Sequence, residues 1–75
     1  MRPCIFHLTE EGRIKWLELR LGGVTGLTLN EEELLLDVEF WGVFTFRPGV
    51  FARWVDRAIL SLERKGLIKE VDEDS

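Results

Sequence analysis

The chain is poor in residues that cross-link or hold metals. A single cysteine, Cys4, among 75 residues excludes an internal disulfide framework and a cysteine-based zinc finger. The only histidine, His7, sits three positions on; with no further soft ligand nearby, neither a metal centre nor a histidine-based catalytic cluster is expected. Apolar runs stop at three residues, as at 34–36, so nothing reads as a membrane span. Met1-Arg2-Pro3 opens the chain without the apolar segment of a signal peptide, and a cytoplasmic location is expected. Glutamine is absent, Asn30 is the one asparagine and Met1 the one methionine, a usage seen in heat-adapted proteins. Gly22, Gly23 and Gly26 have neither the spacing nor the lysine of a phosphate loop. Catalysis and a bound cofactor are therefore not expected.

What remains is the composition of a folded protein: 45% hydrophobic and 32% charged residues, with five phenylalanines and three tryptophans. A chain of 75 residues makes one domain with a thin core. We read 1–75 as that domain, with 1–8 an extended N-terminal segment and 72–75 an acidic, disordered end. The net charge of −4 argues at first against a nucleic-acid partner. Its distribution argues the other way. Residues 47–65 carry Arg47, Arg53, Arg57, Arg64 and Lys65 against Asp56 and Glu63, a balance of +3, whereas the other residues sum to −7.

Thr9 followed by Glu10 and Glu11 predicts a helix start, and Gly22-Gly23 predicts the end of a helix over 13–21. Ile14, Leu17 and Leu21 lie along one side of this helix and Trp16 and Leu19 along another. One side can face the core and the other needs a cover. Residues 24–29 suggest a brief strand. Asn30 reads as a second N-cap, with Glu33 placed to reach back. Residues 31–46 fit two periods: Leu34, Val38 and Trp41 suit a helix, while Leu34, Leu36, Val38, Phe40, Phe44 and Phe46 alternate as in a strand. The favoured reading is a helix over 31–41 and an extended segment over 43–46. The alternative is a β-hairpin within 24–46, turning at 30–33. The plainest helix is 49–65, with Pro48 at its start and Gly66 past its end. Its apolar side gathers Phe51, Val55, Ala58 and Leu62, and Arg53, Arg57 and Arg64 share the opposite side. Residues 67–71 read as a strand.

The segment Arg57-Ala58-Ile59, followed by Leu62-Glu63-Arg64-Lys65-Gly66-Leu67-Ile68, resembles the recognition helix and first wing strand of winged helix-turn-helix domains, loosely those of MarR-like regulators. The resemblance implies a mainly α fold with a small β-sheet: a three-helix, winged-helix-like domain. Only four residues follow Val71, so its wing is truncated, and the N-terminal segment is a candidate to supply the pairing strand. It further implies a small transcriptional regulator whose helix enters the major groove of double-stranded DNA. Arg53 and Arg57 would meet base edges; Arg47 and Arg64, with Lys65, would meet phosphate. A domain this small needs a dimer to match two half-sites, and Trp16 and Leu19 are the candidate dimer interface. An arginine stripe opposite an apolar one also describes ordinary solvated surface, where ion pairs contribute little. The competing functional reading is a protein-interaction module with no nucleic-acid partner, suggested by the acidity and the surplus of leucine and aromatic residues. Trp54 and the set Phe40, Phe44 and Phe46 read as core, and the run Glu31-Glu32-Glu33 as a solvated helix start.

Overall fold

The computed structural model describes residues 4–71. Along the chain run β1 (Cys4–Leu8), α1 (Glu10–Arg20), α2 (Leu29–Leu36), β2 (Val43–Phe46), α3 (Arg53–Arg64) and β3 (Ile68–Glu70). Three helices and a three-stranded antiparallel sheet make an α+β domain. The strand order is β2-β1-β3. The N-terminal strand is thus the centre of the sheet: Cys4 faces Phe46 and Phe6 faces Phe44 on one side, and Leu8 faces Ile68 on the other. β1 does supply the strand that pairs with the segment after α3. No second strand follows β3 among the described residues, and residues 72–75, the acidic end, lie outside them.

Residues opposite each other in an antiparallel pair share a face. Phe6, Leu8, Phe46 and Ile68 are buried on one face, whereas Ile5, His7, Val43, Thr45 and Lys69 on the other are not. The buried face meets Leu35 of α2, Val38 just beyond it, Ile59 and Leu62 of α3, and Leu67. No helix among the described residues is long and apolar enough to cross a membrane.

Local chemistry explains where the helices begin and end, and in four places it differs from the sequence reading. Residues 24–28 form no strand. α2 is capped two residues earlier than expected. The Thr28 hydroxyl accepts the Glu31 N–H, and the Glu31 carboxylate accepts the Thr28 N–H, a complete capping box. α2 then stops at Leu36 instead of residue 41: Asp37 and Val38 donate their N–H groups to Leu34 O and Leu35 O in a tightened last turn, and side chains of α1 take carbonyls from Leu36 onward. Arg20 donates to Leu36 O, the Trp16 indole to Val38 O at 2.7 Å, and Arg13 Nε to Phe40 O. The 30–33 hairpin turn is excluded, since those residues are helical. Finally, α3 begins at Arg53, after Arg47 O accepts from Val50 N–H across Pro48 and Gly49, with φ of 81° at Gly49. That is a type II turn, which no helix can run through.

α3 ends as expected at Gly66, where the Leu67 N–H reaches back to Leu62 O and the Gly66 N–H to Glu63 O. This end docks on the start of α1: Thr9 donates its N–H to Leu67 O and its hydroxyl to Gly66 O. Gly12 is buried against the Leu67 carbonyl, so closely that a Cβ there would collide with it.

Candidate nucleic-acid interface

α3 is amphipathic along its length. Ala58, Ile59 and Leu62 are buried and Val55 packs on the core, whereas Arg53, Arg57 and Arg64 are exposed on the opposite side. Arg47, in the connection before α3, is exposed as well. Among the described residues none of these four guanidinium groups is in an ion pair; the pairs present are Lys15–Glu18 and Lys65–Glu31. A guanidinium is always charged and offers five donors in a planar fork, so the face presents unsatisfied donors to whatever approaches it.

Arg53 and Arg57, one turn apart, border an open groove of about 470 Å³ between α3 and the start of α2. Asn30, Trp54, Glu31 and Ser61 also line it. Trp54 is half-buried. Arg64 lies nearly two turns beyond Arg57, outside the groove lining.

Lys65 departs from its expected role. Its ammonium donates to Glu31 Oε1 at 2.9 Å, from an exposed side chain, instead of standing free for phosphate. Glu31 is 2% exposed, and Ser61 donates to its Oε2 at 2.8 Å. Burial raises the pKa of this carboxyl, but four donors outweigh it: the Thr28 N–H, Lys65, Ser61 and the Thr28 hydroxyl hold it down at about 2. Glu31 is therefore ionised, and it ties the start of α2 to α3 beneath the groove. With Glu31 answered by Lys65, the groove keeps the positive charge of Arg53 and Arg57.

The two apolar sides of α1 are exchanged relative to the interface expectation. Trp16 and Leu19 are half-buried and pack against the core. Trp16 lies 5.4 Å from the Phe40 ring, with Arg20 stacked over it at 4.7 Å. Ile14, Leu17 and Leu21 face outward, 52%, 45% and 85% exposed. Spacing alone cannot tell two apolar sides apart. The sequence signals for these outcomes are the Thr28-x-x-Glu31 box and the indole of Trp16, which needs an acceptor when covered.

No family model, curated protein or solved structure matches this chain.

Proposed function

We propose that this protein binds double-stranded DNA through the exposed face of α3, as a small homodimeric regulator of winged-helix type. The observation that carries this reading is the set of arginines on α3 without an ion pair among the described residues, in a chain whose other regions are acidic. Arg53 and Arg57, on the first half of the helix, are the base-edge candidates, since forks of this kind match guanine bidentately. Arg47 and Arg64 flank them for phosphate. Support for the winged-helix kinship comes from the α3–β3 segment, where the glycine-capped helix runs directly into a strand. In this reading α3 is the principal reader, in keeping with a central β1 and no wing hairpin among the described residues.

The test is fluorescence anisotropy of labelled random duplexes titrated at several salt concentrations. Binding that weakens linearly in log–log form, and that falls in Arg53→Ala and Arg57→Ala, supports the reading. No retention of any duplex at low salt overturns it. A second reading, a module that binds protein alone, is favoured by the outward Ile14, Leu17 and Leu21. It expects arginine substitutions to be silent.

A further inference from the structure

The outward side of α1 is a short heptad seam. Ile14, Leu17 and Leu21 fall at successive a, d and a positions. All three are at least 45% exposed, although each is an aliphatic residue on a helix whose other side already serves the core. Trp41, 77% exposed, is held 4.4 Å from the Arg13 guanidinium and extends the apolar surface along that border. Contiguous apolar surface of this kind marks a contact site.

The charges beside the seam say what fits it. Arg13 and Arg20 border one side, at g positions, and Glu11 and Glu18 border the other, at e positions. In a parallel helix pair, g of one helix meets the following e of its partner, so Arg13 meets the partner's Glu18 on both flanks of a two-fold. In an antiparallel pair g faces g and e faces e, which sets arginine against arginine and glutamate against glutamate. The pattern is therefore self-complementary in one orientation and repulsive in the other. Arg13 uses Nε for its bond to Phe40 O, which leaves its terminal amino groups for a carboxylate. Glu18 is held only by a 3.5 Å contact to Lys15, partly exposed on both sides, and such a pair is readily exchanged.

We propose that the Ile14–Leu17–Leu21 face of α1 is the dimerisation surface, and that it takes α1 of a second copy of this chain in parallel, with Arg13 of each protomer opposite Glu18 of the other. This rests on the homodimeric half of the function proposed above and not on its DNA half. The seam is short, since Glu10 occupies the preceding d position, so the dimer is concentration-dependent.

Sedimentation equilibrium of the full chain over a wide concentration range tests it, together with disulfide trapping in a Cys4→Ser background checked for folding by circular dichroism. The wild type is expected to self-associate, and Ile14→Glu and Leu17→Glu to weaken association at least about tenfold with an unchanged spectrum, because both sites are solvent-facing. Leu21→Cys should lock the dimer to its own counterpart, while Leu60→Cys, also exposed but on α3, should not. A wild type that is monomeric at all concentrations overturns the proposal. So does association that survives Leu17→Glu, or trapping of position 21 to position 14 in preference to itself. Anisotropy with duplex DNA separates the two readings. A chain that dimerises through α1 without binding any duplex removes the DNA reading alone, and one that stays monomeric at every concentration yet binds duplex removes this inference and the homodimeric half of the reading, leaving its DNA half.

Discussion

Lys65 and Glu31 lie 34 positions apart, and their meeting changes what each residue does. Read along the chain, Lys65 is one of five basic groups within residues 47–65, and Glu31 the first of three solvated acids. In the fold they are one ion pair between a buried carboxylate and an exposed lysine, with Ser61 and the Thr28 N–H completing the carboxylate's shell. Only the carboxylate is buried, so removing the lysine takes one of its donors while removing the carboxylate frees an already exposed lysine, and the two substitutions differ accordingly. Glu31→Ala should lower stability by about 3 kcal/mol in urea unfolding, since it removes the carboxylate's bond to the Thr28 N–H and both cross-helix bonds at once, although the Thr28 hydroxyl still caps the N–H of residue 31. Lys65→Ala should cost about 1–2 kcal/mol, because Glu31 keeps its other donors, and should leave duplex affinity nearly unchanged. Arg53→Ala and Arg57→Ala should do the reverse: little loss of stability, and a loss of about 1–3 kcal/mol of duplex binding with poorer discrimination between sequences, as expected of base-edge contacts. Anisotropy and urea titration of the four variants check this division.

At the scale of elements, the starts of α1 and α2 set how the helices dock. α1 begins against the turn that ends α3, with Gly12 pressed on the Leu67 carbonyl. Gly12→Ala would ordinarily favour a helix. Here its methyl must displace backbone, so the expected result is a loss of about 2–4 kcal/mol and a lower Tm by calorimetry. For α2, the bonded cap is Thr28. Thr28→Ala should cost about 1 kcal/mol, and Asn30→Ala, inside the first turn and making no capping bond, distinctly less. Equal effects would restore the cap register read from Asn30 and Glu33. The same distinction shows where local sequence suffices. Thr9, Gly22 and Gly66 act on their immediate neighbours, so the boundaries of α1 and the end of α3 are legible. The end of α2 is not, because Leu36, Val38 and Phe40 give their carbonyls to side chains of α1 that are at least 16 positions away.

For the molecule as a whole, the carboxyl of Glu31 couples folding to pH. Its pKa falls from an ordinary 4.5 to about 2 on folding. A depressed folded-state pKa means that the stabilisation is complete above the unfolded value and is lost as pH drops toward the folded one. Unfolding monitored by tryptophan fluorescence should thus show about 3 kcal/mol disappearing between pH 4.5 and about 2, an acid limb absent in Glu31→Gln. In a domain of this size, whose total stability is of order 5 kcal/mol, that loss is large enough to bring on acid unfolding.

Charge placement, the extended segment at the N-terminus and the arginine side of α3 were all in the sequence, because each depends on residue type or on neighbours within one turn. So was the alternation through Phe44 and Phe46, which β2 realises in the sheet. The tertiary structure alone decided the central position of β1, the end of α2, the removal of Lys65 from the free cations, and which side of α1 is covered. These follow from contacts between distant parts of the chain. Two apolar stripes on one helix have the same periodicity, and only packing against the core, with an acceptor at Val38 for the Trp16 indole, selects the one that is buried.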